Sequence, residues 1–390
     1  MSARASLRYD RDVTWSALLD GEDRARALAR VEAIADELDR RAQGDPSLGF
    51  GLAGVALVHG YRARAGHDDG EDRAFGAIAR ALPAAAASPR SGLFDGLAGL
   101  GFAIHHLADV IGDERDVLAR LDEHVLDAIG AAPATAWDLT QGVIGLGVYG
   151  LERGAAAILA AAVERLTRLA ERDADGARWR TVEPEYPDGF FNLGLAHGQA
   201  GAIALLAEAH AIGTGDAALV GDAVRWLRAH ERDAMPRFPM FHPEVHLGFD
   251  GILDGWCYGD PSTALVLVQA GTRLDQPAWR EAGRALAHHA AARRDDELAR
   301  LTIDRSLCHG AISHAHLFHR LGRALGDEAL LATARRWYQR ALAAPIADDA
   351  PPGLQIGLAG LALGLLAAAT DVEPAWDRAF LLSGASDALR

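Results

Sequence analysis

Two cysteines, Cys257 and Cys308, are the whole thiol complement of this 390-residue chain, and they stand in matching contexts: Trp256-Cys257-Tyr258-Gly259 and Leu307-Cys308-His309-Gly310. Each lies two residues before a glycine that opens an apolar run. In a repeating fold the two thiols would occupy equivalent points on neighbouring units and meet, with His309 beside them. Thiolate and imidazole are ligands that zinc prefers, and three protein ligands leave one tetrahedral position open, as in catalytic rather than structural zinc. A single buried cysteine is ordinarily a small hydrophobe. A pair that shares a repeat offset and exhausts the cysteine count points to a metal instead.

Composition removes several other chemistries. All 39 basic side chains are arginine, because the chain contains no lysine. That excludes a P-loop lysine, a Schiff base and a pyridoxal phosphate enzyme together. The net charge of -15 speaks against sequence-independent nucleic-acid binding, which needs a basic surface. Residues 1–20 carry charges and no continuous apolar stretch, so no secretory signal is expected. The apolar runs are short and recur, as buried helices do, so no membrane insertion is expected. Reduced, metal-bound thiols in the cytoplasm fit better than a disulfide.

The elements that must position these residues come from a repeat. Glycines at Gly51, Gly96, Gly142, Gly198, Gly259, Gly310 and Gly357 each open an apolar run, at spacings of 45, 46, 56, 61, 51 and 47 residues. Such a period marks an array of supersecondary units. Charged, amphipathic helical patterns precede the glycines, for example over 23–41, 114–129, 155–172, 216–232, 278–293 and 328–342. The helix after each glycine is almost wholly apolar, as over 198–211. Each unit therefore pairs an outer, half-solvated helix with an inner, buried one. Seven all-apolar helices are most simply enclosed by a ring of seven outer ones, so the expected fold is all-α, a single α/α toroid over 1–390. An open solenoid would need a polar capping repeat, and the last unit is as apolar as the middle ones.

In a toroid the residues one and two before each glycine gather at one end, where the positive ends of the inner helix dipoles converge. Around the ring these are Asp95, Gln141, His197, Cys257 with Tyr258, and Cys308 with His309, with Phe50 and Ile356 in the first and last units. Asp138, four before Gly142, is placed to overhang the same opening, although capping a helix is its simpler use. His197 alone would be read as a core or helix-start histidine; its rim position makes it a functional candidate. Other histidines are set aside: His314, His316 and His319 lie off the face of the Cys308-His309 pair at 100° per residue, and His242 and His246 flank a proline in a loop. Asp68-Asp69-Gly70-Glu71-Asp72 reads as an acidic surface turn. The stretches 172–192 and 234–255 are long enough to form substrate-facing loops.

Three segments in order, Asn192-Leu193-Gly194-Leu195-Ala196-His197-Gly198, Trp256-Cys257-Tyr258-Gly259-Asp260 and Ser306-Leu307-Cys308-His309-Gly310, resemble the lanthionine synthetase C-like family of lanthipeptide cyclases, and the Gly-Leu-Ala-Gly repeats extend the likeness over the chain. The resemblance implies an α/α toroid with seven inner and seven outer helices and a Zn2+ ion held by Cys257, Cys308 and His309. It implies addition of a peptide cysteine thiol to a dehydroalanine or dehydrobutyrine of the same dehydrated precursor peptide, closing a thioether ring. His197 is then the expected general acid, Asp138 its orienting group or an acceptor of the thiol proton, and Tyr258 a hydrogen-bonding assistant. Trp256 and Asp95 are expected at the peptide-binding mouth. A dehydratase and transporter complex are further expected partners.

One departure stands out. Many stand-alone cyclases of this family carry arginine four residues before the first zinc cysteine, where this chain has Leu253. Ser262 and Ser313 also replace the second glycine in two repeats. Two rival functions stay open on sequence grounds: a non-catalytic zinc scaffold for a precursor peptide or dehydratase, and a thiol-alkylating zinc enzyme of the prenyltransferase type, whose pattern fits these motifs less well.

Overall fold

The computed structural model describes residues 15–384 apart from 43, 88–89, 113–114, 248–250, 344 and 347–348. Fourteen principal helices alternate between outer and inner. The outer ones are α1 (Gly21–Arg41), α3 (Gly70–Ala85), α5 (Arg115–Ala131), α7 (Ala156–Leu169), α9 (Ala217–Ala229), α11 (Pro277–Ala291) and α13 (Glu328–Ala343). The inner ones are α2 (Leu52–Arg64), α4 (Leu97–His106), α6 (Val143–Arg153), α8 (Gln199–Ala211), α10 (Asp260–Arg273), α12 (Ala311–Leu325) and α14 (Leu358–Ala369). The expected toroid is therefore present.

The patterning decides which helix goes where. In α1 the buried residues Ala27, Val31, Ile34, Ala35 and Leu38 form one stripe at helical spacing, with Glu22 and Asp23 in the first turn and Arg40 and Arg41 in the last, where they complement the dipole. Every residue of α14 is buried. Such a helix is stable only when enclosed on all sides. Each inner helix packs on the next inner one around a full circle, α14 against α2 included, and α1 covers α14 and meets α13 to close the outer layer.

Closure is also written in the backbone. The residue two before each helix-opening glycine, or its immediate neighbour, donates to the equivalent turn of the next unit: Gly49 N to Phe94 O (2.7 Å), Phe94 N to Thr140 O (3.0 Å), Leu139 N to Ala196 O (3.1 Å), Leu195 N to Cys257 O (3.0 Å), Cys257 N to Cys308 O (3.1 Å), Cys308 N to Gln355 O (3.0 Å) and Gln355 N to Gly49 O (3.0 Å). These seven links return to their starting residue. The bonds satisfy turn groups that the inner helices leave unpaired and lock the register of the whole mouth. The second glycine of each Gly-x-x-Gly lets the helix approach the preceding turn: a Cβ on Gly99 would lie 1.9 Å from Leu93 O. Ser313 occupies that place in the sixth unit, and its hydroxyl accepts a 2.8 Å bond from Trp256 N.

Small strands fill the long connections. β1 (Glu171–Asp173) pairs with β2 (Gly176–Arg178), and β3 (Thr181–Glu183), β4 (Tyr186–Asn192) and β5 (Phe241–His242) form an antiparallel sheet in that order. β6 (Ile252–Leu253) runs parallel to β7 (Leu301–Thr302), with Leu253 opposite Thr302. At the far end a 3-10 turn, Ala375–Phe380, enters the ring among the C-terminal ends of the inner helices. Its Trp376 N–H donates to Tyr61 Oη (2.8 Å), and Asp377 meets His316 Nε2 and Arg320 Nε, each at 2.6 Å. The turn reaches far enough up the bore for Phe380 O to accept from Trp256 Nε1 at 2.9 Å.

Candidate metal centre and active site

Cys257 sits in the turn between β6 and α10, and Cys308 and His309 sit in the turn between β7 and α12. The Cys257 N to Cys308 O bond and the β6–β7 pairing hold these turns side by side. One ligand atom from each of Cys257, Cys308 and His309 lies within 4.8 Å of the others, and Cys257 Sγ is 3.8 Å from His309 Nδ1. On the other side of the ring His309 Nε2 is 3.4 Å from Asp304 Oδ2. A carboxylate behind the distal nitrogen is what orients a ligating imidazole and fixes its tautomer.

The thiols differ in their leaning. Cys308 is drawn down, first by the hydrogen bond from Cys257 and then by His309 and His197, against burial. Cys257 is pushed well up by burial and by the adjoining Cys308. The site therefore takes one negative charge readily and resists the second, since like charges in contact oppose joint ionisation. A divalent cation removes that conflict. The donor set, the spacing and the Asp304 support all fit zinc with one position open.

His197 stands on the same rim one unit before Cys257, at the start of α8. Its Nδ1 is 2.6 Å from Asp138 Oδ2, and 43% of the side chain stays open to solvent. Asp138 bonds in two directions. Its Oδ1 accepts from the backbone N–H of Gln141 and of Gly142 (2.9 Å each), pinning the turn that opens α6, while Oδ2 holds His197 and accepts from Thr140 Oγ1 at 2.9 Å. Burial works to raise the Asp138 carboxyl, but His197, the Gln141 N–H and the Thr140 hydroxyl keep it below the usual carboxylate value. Burial likewise lowers His197, and the Asp138 bond and charge outweigh it, leaving the imidazole raised.

Tyr258 is buried, with its hydroxyl accepting from Asn192 Nδ2 at 2.9 Å and its ionisation pushed far up by burial. Asp95 is on the rim with Oδ1 buried and without a hydrogen-bond partner, and burial raises its pKa. Trp256 requires a correction. It does not line the mouth: it is 0% exposed and points down the bore, its ring 5.4 Å from Phe94 and 4.7 Å from Phe380. The alternation of the turn explains this, because Cys257 faces the opening and the preceding indole fills the ring below.

A family model described as lanthionine synthetase C-like protein matches residues 42–381. The chain belongs to the lanthionine synthetase C-like family. It is 30% identical over 152 residues to the nisin biosynthesis protein NisC of Lactococcus lactis subsp. lactis, an aligned part that covers 35% of this chain and 35% of that relative's length. The fold matches a solved structure of nisin cyclase with a TM-score of 0.75 at 20% identity, over 91% of this chain and 97% of that one.

In this lanthionine synthetase C-like protein four supporting groups escaped the sequence reading. Thr140 is one that its register exposes in hindsight, since it occupies the position two before Gly142 that Cys257 and Cys308 occupy in their units. Asn192, at the end of β4, and Asp304 share an offset of six before Gly198 and Gly310, and each accepts from the backbone N–H two residues on, a register the sequence analysis did not use. The fourth is Arg293, whose guanidinium lies below the Cys257 turn and bonds Asp254 and Asp260 at 2.5 Å each, with His314 Nε2 2.8 Å from Asp254. His314 thus buttresses the metal loop without facing the metal set, while His316 and His319 lie at the far end near Trp15. Leu253 is half-buried on β6.

Proposed function

We propose that this protein is a zinc-dependent lanthipeptide cyclase that adds peptide cysteine thiols to dehydroalanine or dehydrobutyrine, forming lanthionine and methyllanthionine rings. The observation that carries the reading is the Cys257, Cys308 and His309 set facing the same mouth as an Asp138-oriented His197. Zinc held by the three ligands would supply positive charge against a substrate sulfur and favour its thiolate near neutral pH.

The chain's own groups do the rest. As the sulfur bonds to the β-carbon, the alkene electron pair moves onto the carbonyl as an enolate. Asp138 holds the Nδ1–H of the His197 imidazolium, so the proton on Nε2 is the one delivered to the α-carbon. The proton lost by the thiol balances the one gained at carbon, so peptide mass is unchanged. With Leu253 in place of an arginine, the enolate charge falls to the converging inner-helix N-termini and the Tyr258 hydroxyl, which keeps its own proton free while accepting from Asn192.

The substrate is a dehydrated precursor peptide, and a dehydratase and transporter complex are the partners such a peptide requires. Among the described residues no helix is long and apolar enough to cross a membrane, and two free neighbouring thiols suit a reducing cytoplasm. Leu253 favours one second reading, a zinc scaffold that binds the peptide without turnover. Co-expression with a precursor and dehydratase from the same gene neighbourhood separates the two. Thiols that resist alkylation at unchanged peptide mass support the cyclase, and persistent alkylatable thiols with peptide still bound support the scaffold.

A further inference from the structure

The rim of the mouth is chemically divided. Asp95, Gln141 and His197 make one sector polar, whereas Ile356 and Phe50, in the same position of the seventh and first units, are apolar and stand 43% and 40% exposed. Only four large apolar side chains are 40% exposed or more among the described residues, and these two are ring neighbours, joined by the Gln355 N to Gly49 O bond. Ile356 in turn adjoins the metal set through Cys308 N to Gln355 O. Folding does not require apolar groups here, since Asp95, Gln141, His197 and His309 occupy the equivalent place in four other units. Nor is the pair loosely held, because Phe50 N donates to Ser47 Oγ and its turn is part of the closed backbone ring.

We propose that Ile356 and Phe50 form an apolar subsite that receives an apolar side chain of the peptide substrate close to the cysteine whose sulfur occupies the metal centre. The proposal rests on the cyclase reading, which brings a peptide into this mouth and makes the subsite continuous with the reacting group. Packed helices lie about 8–10 Å apart, and extended chain advances roughly 3.3 Å per residue. A side chain two or three residues from the reacting cysteine therefore meets Ile356, and one further along meets Phe50. The polar sector, with Asp95, Gln141 and His197, is left to the dehydro residue and its polar backbone.

The test uses two dehydrated model peptides that differ only in leucine or serine two residues from the cysteine. The wild-type protein should close the leucine peptide with kcat/KM about 10-fold higher or more, the range that apolar pockets reach, and Ile356→Ser with Phe50→Ser should collapse that ratio toward one. Ile212→Ser, an exposed apolar side chain just past the C-terminal end of α8, should leave the ratio in place. Equal rates for both peptides in the wild-type protein, or an undiminished ratio in the double variant, would overturn the subsite while the cyclase reading stands. If no peptide is cyclised at all, the cyclase reading fails separately. Fluorescence anisotropy of the same labelled peptides then decides the subsite: tighter leucine binding that the double variant abolishes upholds it, and equal binding overturns it.

Discussion

Asp138 and His197 lie 59 residues apart in the chain and 2.6 Å apart in the structure. One carboxylate both pins the turn before α6 and orients the imidazole at the start of α8, the group that the proposed mechanism uses as general acid. Replacing His197 with asparagine should leave zinc content and helicity intact and slow ring closure by about 10²- to 10⁴-fold, the usual contribution of a positioned proton donor. Wild-type rates in that variant would return His197 to a structural role.

The same pair gives a pH prediction. The Asp138 bond raises His197 above the ordinary histidine value, so the paired imidazolium is fully formed below that ordinary value, about 6.5, and is lost as pH rises through the higher folded one. In Asp138→Asn the ring resonances of His197 should titrate at lower pH, and ring closure should fall off earlier on the alkaline side. An unmoved His197 titration would break the link between the two residues.

Cys308→Ala should lose the metal and keep the fold, because the toroid is held by apolar packing and by backbone bonds that a side-chain change leaves in place. Metal analysis should fall from close to one zinc per chain in the wild-type protein toward none, with the far-UV circular dichroism unchanged. Full zinc occupancy in that variant would remove Cys308 from the ligand set.

Trp256 reads out the bore rather than the mouth. Trp256→Phe removes one N–H and leaves Phe380 O without its partner, a loss of about 1–3 kcal/mol for a buried acceptor. Thermal unfolding should shift down by several degrees while zinc stays bound. Trp256→Ala also leaves a cavity beside Phe94, costing about 3–5 kcal/mol, and should weaken zinc retention because Cys257 is the next residue. A Trp256→Phe protein that melts like the wild type would contradict the bore contact.

Leu253 tests how the enolate is managed. If the helix N-termini and Tyr258 suffice, the natural protein closes rings and Leu253→Arg is not required for activity. Alkylatable thiols that persist with the natural protein and vanish with Leu253→Arg would shift the account to the scaffold.

Much of this was legible in the residue order. The glycine register located seven units, and the offset of Cys257, Cys308, His309 and His197 from those glycines placed them on one rim, because identical offsets in a closed repeat become neighbouring positions in space. The direction of Trp256 was not legible. Its offset named a turn, but whether the side chain rose to the mouth or sank into the bore depended on Phe380, a contact across 124 residues. Arg293 was hidden for a similar reason, since an arginine ending an outer helix pattern reads as solvated until Asp254 and Asp260 are seen beneath the Cys257 turn. The sheet β3–β4–β5 emerged from a stretch read only as loop, where strand segments are too short to show a period.

The central claim is that this chain closes thioether rings with a metal held by Cys257, Cys308 and His309. The direct measurement incubates a dehydrated, cysteine-containing peptide with the purified protein in three states, zinc-loaded, chelator-stripped and re-zincated, and counts alkylatable thiols by mass spectrometry. The account predicts loss of one alkylatable thiol per ring at constant peptide mass with the loaded protein, none with the stripped protein, and recovery on adding zinc. Ring closure that proceeds equally in the stripped protein, or thiols that persist with the fully loaded one, would contradict it.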